Sequence, residues 1–252
     1  MTKILSSENL CKYFGGVRAV DQVDFSVDKG EIFGIIGPNG AGKTTLFNLL
    51  TGTLGVTKGK IYFKDGEITN LPPQKVTRLG IARTFQNIKL FEEMEVLENV
   101  KIGFHTQTKT NMLDAVLKNN KLKEDEEKVH LEGLKLLERV NMLDKKNNLA
   151  KNLSYGDKRR LEIARALAVK PEILLVDEPA AGMNPHETDE VVELLEQLNK
   201  EGITVVIIEH DMKVIMGMCD EILVLNNGVK LAQGTAAEVQ KNPEVIEAYL
   251  GK

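Results

Sequence analysis

Gly37-Pro38-Asn39-Gly40-Ala41-Gly42-Lys43-Thr44-Thr45 is the stretch on which the reading of this chain turns. It fits the pattern G-x-x-x-x-G-K-[ST], a glycine-rich loop that cradles phosphate. The apolar run before it, Glu31 to Ile36, reads as a buried strand, and Leu46 to Leu50 after it reads as a helix. Strand, glycine loop and helix in that order let backbone N–H groups converge on phosphate oxygens at a helix N-terminus, where the potential is positive. Lys43 would then reach the terminal phosphates of a nucleotide, and the Thr44 hydroxyl would help hold Mg²⁺.

Working outward, the chain has 252 residues, of which 42% are hydrophobic, enough for one large domain or a domain with an insertion. The net charge of −4 gives no electrostatic case for nucleic acid as a partner. Lys158-Arg159-Arg160 is basic, but three residues read as a solvated helix face. Cys11 and Cys219 lie far apart beside apolar segments and are expected to be buried free thiols. No signal peptide is expected at the N-terminus, and no apolar run approaches the roughly 20 residues that span a bilayer. These features predict a soluble, cytoplasmic protein that would reach a membrane only through partner subunits.

The first part of the chain reads as antiparallel β. Ile4 to Tyr13 and Val17 to Val27 are strand-like around Gly15-Gly16, and Ile61 to Phe63 follows with Asp65-Gly66 as a hairpin turn. Pro72-Pro73 opens a short helix, and Ile81 to Phe85 reads as a strand. From Asn87 to Val169 helical spacing takes over, as in Leu131, Leu134, Leu137 and Glu138, and in Leu161, Ala164 and Ala168. Lys121 to Lys128 is a charged run expected on a solvated helix face.

The last third alternates. Ile173 to Val176 is a short strand, and Val191, Leu194, Leu195 and Leu198 mark an amphipathic helix. Ile203 to Ile208 is β-branched without polar alternation, as in a sheet covered on both faces. Ile222 to Leu225 turns through Asn227-Gly228 into Val229 to Ala232, and Pro243 to Leu250 reads as a terminal helix. The expected fold is α/β: a P-loop core with a mixed sheet, an antiparallel β subdomain and an inserted helical subdomain. Residues 1–86 and 170–252 form the core and 87–169 the insertion, within one domain over 1–252.

Ile173-Leu174-Leu175-Val176-Asp177-Glu178 is the second strong motif. A strand ending in two acids places carboxylates at the carboxyl edge of the sheet, where ligands of such sheets bind. Asp177 is expected to hold Mg²⁺, mostly through water, and Glu178 to orient or deprotonate an attacking water. Leu153-Ser154-Tyr155-Gly156-Asp157 precedes a helix and supports two readings. Ser154 and Asp157 have the spacing of a capping box, which requires no ligand. Alternatively, Ser154 and the Gly156 amide present a helix N-terminus to a γ-phosphate.

Taken in order, these segments resemble the ATP-binding cassette ATPases, the nucleotide-hydrolysing subunits of ABC transporters. The resemblance runs over essentially the whole chain: Phe14, Gly37 to Thr45, Gln86, Leu153 to Asp157, Asp177 with Glu178, and His210. It implies that Phe14 stacks on adenine, with neighbouring Tyr13 as the competing choice. It implies that Gln86 links Mg²⁺ and the attacking water to the helical subdomain, and that His210 contacts the γ-phosphate. Lys43, Gln86, Glu178 and His210 would be the catalytic set, and Thr44, Gln86 and Asp177 the Mg²⁺ set. The nucleotide would lie on Gly37, Pro38, Asn39, Gly40, Ala41, Gly42, Lys43, Thr44 and Thr45, with Phe14, Ser154 and Gly156.

Three residues depart from the family pattern. Tyr155 and Asp157 replace a glycine and the glutamine of LSGGQ, and Asn184 stands where many members have aspartate. The run Leu153 to Arg165, the run Asp177 to Pro185 and the ending Asn242 to Gly251 resemble the ATPases of branched-chain amino-acid importers. That resemblance implies ATP and Mg²⁺, integral-membrane permease partners, and a second ABC ATPase in a head-to-tail sandwich. It also implies an indirect substrate-binding protein and a place on the inner face of the cell membrane. The alternatives are an ABC ATPase for another cargo such as lipopolysaccharide, or a soluble ABC ATPase without a transporter. Ile88, Leu90, Phe91, Met94 and Val96, just after Gln86, are the expected docking segment, with Phe91 or Met94 at least partly exposed.

Overall fold

A computed structural model describes residues 2–104 and 120–250. Lys121, Lys123 and Lys128 of the charged run lie on one described helix, but side chains are described only from Glu124 onward, and Glu124 and Glu126 to Lys128 are exposed there.

Two sheets organise the chain. β1 (Lys3–Phe14), β2 (Val17–Asp28), β4 (Lys58–Phe63) and β5 (Gly66–Glu67) form an antiparallel sheet in the order β2-β1-β4-β5. The core sheet combines β3 (Ile32–Ile36), β6 (Ile81–Arg83), β7 (Ile173–Asp177), β8 (Thr204–Ile208), β9 (Glu221–Asn226) and β10 (Val229–Gly234). Its order is β10-β9-β3-β8-β7-β6, parallel except for the β9–β10 hairpin. Asn227 and Gly228 both take positive φ in that hairpin, 47° and 82°, as a tight primed turn requires.

The core strands lack polar alternation because both faces are covered. Phe33, Ile35, Leu175, Val206, Ile208 and Leu223 point to one core, shared with the antiparallel sheet. Their neighbours Ile36, Leu174, Val176, Val205, Ile207 and Val224 point to a second core, beneath helices. The first core also takes Leu46, Phe47 and Leu50 of α1 (Lys43–Leu50). α2 (Pro73–Leu79) starts with Pro73 just inside its N-terminus, as expected for the Pro72-Pro73 signal.

The second core holds α3 (Val96–Gly103), α4 (Asn120–Arg139) and α5 (Tyr155–Leu167). Leu137, Leu161, Ala164 and Ala168 are buried there as their spacing predicts, whereas Leu131 is 52% exposed. The buried stripe of α4 runs through Gly133 and Leu137 instead, and continues into Val140 just past the helix end. α6 (Pro185–Lys200) buries Val191, Leu194, Leu195 and Leu198, the predicted stripe. α7 (Met212–Met218), α8 (Ala236–Lys241) and α9 (Pro243–Leu250) complete the described chain. Cys11 is buried and Cys219 partly so; both are free, and burial pushes the Cys219 thiol up to about 12.

Because β3, β8, β7 and β6 are neighbours and parallel, the segments that leave their carboxyl ends emerge at one edge. Those segments are the glycine loop, Glu209-His210, Glu178 and the stretch leading to Gln86.

Candidate nucleotide site

The glycine loop is shaped by contacts that forbid side chains. A Cβ at Gly42, with φ of 102°, would come 2.4 Å from the Ala19 carbonyl oxygen; one at Gly37 would come 2.2 Å from that of Leu225. The loop is therefore pressed onto β2 and β9 and opens into α1, whose first residue is Lys43. The Lys43 ammonium donates to the carbonyls of Gly37 at 2.6 Å and Pro38 at 3.1 Å. Desolvation lowers its pKa, opposed by the nearby carboxylates of Glu178 and Asp177. A cavity of about 530 Å³ lies against the loop, lined by Asn39 to Thr45 with Ala19, Arg18, Gln86 and Glu178 among its walls.

Glu178 sits just past β7 in the left-handed region, φ 45°, with its N–H donating to Ile208 O at 2.9 Å. That conformation costs a non-glycine residue energy, and such positions cluster at functional sites. Gln86 Nε2 donates to Glu178 Oε2 at 2.7 Å, and His210 Nδ1 lies 4.0 Å from the same oxygen. Residues assigned from distant parts of the sequence thus converge on one carboxylate.

Several residues that hold this arrangement were missed in the sequence. Buried Glu209 accepts from the N–H groups of Ala180 at 2.9 Å and His210 at 2.9 Å, tying the loop after β7 to the loop after β8. Buried Arg159 of α5 donates to Phe85 O at 2.7 Å, to Gln86 O at 3.1 Å and to Glu162 at 2.8 Å. Glu162 in turn accepts from the Phe85 N–H at 3.2 Å. Burial raises the Glu162 pKa, and Arg159 opposes that rise. Lys158-Arg159-Arg160 is accordingly not a uniform solvated face: Arg159 is fully buried. The signal available in the sequence was the spacing, since Arg159 and Glu162 stand three apart on a helix.

Asp177 is 1% exposed and accepts from Arg83 Nη2 at 2.7 Å through Oδ2, while its Oδ1 is buried without a partner among the described residues. The Thr44 side chain is exposed on the cavity wall. Among the described residues no three His, Cys, Asp or Glu side chains gather as a metal nest. An exposed hydroxyl on the cavity wall and an unpartnered carboxylate oxygen in the residue before Glu178 are donor types that suit Mg²⁺, which keeps waters and shares phosphate oxygens rather than filling an all-protein cage.

Neither aromatic of the adenine pair, Tyr13 or Phe14, is a wall of the cavity. The Tyr13 hydroxyl donates to Asp21 at 2.6 Å, and that bond is the main cause of the raised Tyr13 pKa. Arg18 also pairs with Asp21 and lies over the Tyr13 ring. Phe14 is 47% exposed, with Lys12 over its ring.

Ser154 and Gly156 do not line the cavity. Ser154 Oγ accepts the Asp157 N–H at 3.1 Å and caps α5. Asp157 does not reciprocate; its carboxylate takes Lys145 and Arg160, both at 2.6 Å. The Gly156 N–H points to Glu187 Oε1 at 3.3 Å, and the Glu187 side chain packs 3.0 Å from where a Gly156 Cβ would sit. Asn184 caps α6 in a reciprocal box with Glu187, an Asx-type cap that explains this departure without a ligand.

Of the expected docking segment, Phe91 is 48% exposed, and Ile88, Leu90 and Met94 are partly exposed. Val96 is fully buried in the helical core, which removes it from any docking face.

The sheet order, the glycine loop at the mouth of α1 and the acids at the same edge define a P-loop nucleotide-binding protein. A family model described as "ABC transporter" matches residues 20–181, and one described as "Branched-chain amino acid ATP-binding cassette transporter" matches residues 229–252. The chain is 46% identical over 250 residues to the high-affinity branched-chain amino acid transport ATP-binding protein LivG of Escherichia coli K12, covering 99% of this chain and 98% of that one. It is similar to a nucleotide-free ATP-binding cassette from an ABC transporter, with TM-score 0.87 and 36% identity over the whole of both chains. A dimeric post-hydrolysis cassette bound to ADP and Pi matches with TM-score 0.78 and 26% identity, over 92% of this chain and 99% of that one. This chain belongs to the ABC transporter ATP-binding family.

Proposed function

We propose that this chain hydrolyses ATP with Mg²⁺ and energises import of branched-chain amino acids through integral-membrane permease subunits. The observation that carries the catalytic part is the convergence of Gln86 and His210 on Glu178 at the wall of the glycine-loop cavity. Lys43 exchanges the carbonyls of Gly37 and Pro38 for the terminal phosphates. Glu178 takes the proton of the attacking water, Gln86 orients that carboxylate, and His210, 64% exposed, reaches the γ-phosphate. Phe14 stacks on adenine. Thr44, Gln86 and Asp177, the last mostly through water, would hold Mg²⁺, whose charge would offset that of the phosphate oxygens.

Ser154 and Gly156, like Phe14, Asp177 and His210, are not walls of the cavity; as N-terminal residues of α5 they would complete the site of another ATPase chain placed head to tail. The dimeric relative supports that assembly. The names of the full-length relatives and the C-terminal family match support the cargo. Among the described residues no helix is long and apolar enough to cross a membrane. The names of the full-length relatives support a place on the inner face of the membrane, where permease subunits would dock on Ile88, Leu90, Phe91 and Met94. Residues 87–169 would move as a helical subdomain against the core of 1–86 and 170–252, and a substrate-binding protein would act at one remove.

Glu178→Gln tests the reading. The amide keeps the size but takes no proton, so turnover of the assembled transporter should fall by about 10² to 10⁴ while ATP binding persists. Steady-state phosphate release reads the first and calorimetry the second. Normal turnover would move the base elsewhere.

A further inference from the structure

Arg83 closes the short edge strand β6, yet its side chain is 7% exposed. Nη2 donates to Asp177 Oδ2 at 2.7 Å and Nη1 donates to Asn48 Oδ1 at 2.7 Å. The guanidinium carbon lies 5.4 Å from the centroid of the Phe47 ring and 5.2 Å from that of Phe85. Three functional segments therefore meet on one planar cation: the helix that follows the glycine loop, the acid that ends β7, and the stretch leading to Gln86.

The pairing is lopsided in a way that points outward. Arg83 engages Oδ2, and Asp177 Oδ1 is buried with no partner among the described residues. Buried polar atoms in native proteins are almost always paired, and Asp177, though not itself a wall of the cavity, directly precedes Glu178, which is one, so its orphaned oxygen points to a ligand contact. A lone carboxylate could exchange its two oxygens by rotating about its last bond. The rigid fork of an arginine whose second arm is fastened to Asn48 resists that rotation.

We infer that Arg83 is a positioning residue for the divalent cation: it holds Asp177 Oδ2, is itself held by Asn48 of α1, and so reserves Oδ1 for the cation or its water. The inference rests on the reading of Asp177 as the Mg²⁺ acid. Outer residues that orient a metal ligand typically account for 10–100-fold in metal affinity, and a lysine at position 83 could pair with Asp177 but not fork to Asn48.

The test separates cation from nucleotide. Mn²⁺ binding to the full chain saturated with ADP is titrated by electron paramagnetic resonance, and ADP affinity is measured separately in EDTA. Asp177→Asn should weaken Mn²⁺ binding by about 10-fold or more, Arg83→Lys by roughly 10-fold, and Asn48→Ala by about 3-fold. ADP affinity in EDTA should stay within about 2-fold throughout, because the loop amides are untouched. Asn48→Ala leaves the buried ion pair intact, so it reports even where Arg83→Lys folds poorly. Full Mn²⁺ affinity in both Arg83→Lys and Asn48→Ala, with loss in Asp177→Asn, overturns the inference and leaves the Asp177 reading standing. Full affinity in Asp177→Asn removes that reading and the inference with it. Parallel loss of ADP affinity in EDTA would show a disturbed glycine loop, and would overturn the positioning role.

Discussion

The glycine loop and the start of α5 are both helix N-termini flanked by glycine, but the structure treats them oppositely. At the loop, Gly42 caps α1 with no side-chain bond, and Lys43 is parked on the loop's own carbonyls. At α5, Ser154 already caps the helix and Glu187 already covers the Gly156 amide. The first terminus is left open; at the second, Glu187 occupies the Gly156 amide, while Ser154 Oγ accepts from Asp157 and keeps its O–H free to donate. The contrast teaches that two glycine-flanked helix starts in one chain differ in what they leave free: the loop its amides, the start of α5 only the Ser154 hydroxyl proton.

The strongest way to break this comparison is Lys43→Ala. Removing the cation that can leave the loop carbonyls for the phosphates should weaken ATP binding by roughly 3 kcal/mol, on the order of 100-fold in Kd. Isothermal calorimetry on the isolated chain checks this, and unchanged affinity would mean that the loop amides alone bind the nucleotide.

A smaller effect is expected from Ser154→Ala. The lost cap costs about 1 kcal/mol of stability, read as a lower denaturation midpoint. A role toward a partner's phosphate adds a fall in ATPase activity of the assembled complex that stability does not explain. Full activity in the destabilised protein would reduce Ser154 to a cap.

The smallest change sharpens the comparison rather than breaking it. Glu187→Gln preserves the reciprocal cap with Asn184, because glutamine serves at that position, but removes the negative charge beside the Gly156 amide. The ATP concentration for half-maximal assembly of a Glu178→Gln complex should drop by about 2- to 5-fold, a gain under about 1 kcal/mol. Assembly at the same concentration would mean that Glu187 never competes with phosphate.

Much of the fold was written in local pattern. The glycine loop between an apolar strand and a helix, the Asn227-Gly228 turn and the both-faces-buried strands each carry their own backbone physics, and all were found where expected. Leu131 lies outside because periodicity names a face without saying how far along a helix that face remains covered, and Val96 left the docking segment because apolar character alone does not separate a core residue from a surface one. α4 turns Gly133 rather than Leu131 to its neighbours, and Val96 starts a helix whose first turn is already under the core.

The sequence by itself determined what depends on contiguous residues: the glycine loop between strand and helix, the paired acids at a strand end and the cassette's order of motifs. It could not determine which polar side chains satisfy one another across distant segments. Arg83 with Asp177, Arg159 with the Gln86 backbone, Glu209 with Ala180 and Glu187 with Gly156 each join residues brought together only by sheet order and helix packing. Burial selects those partners, because a charge taken out of water must find whatever complement the fold places beside it, and the chain order carries no record of that neighbour.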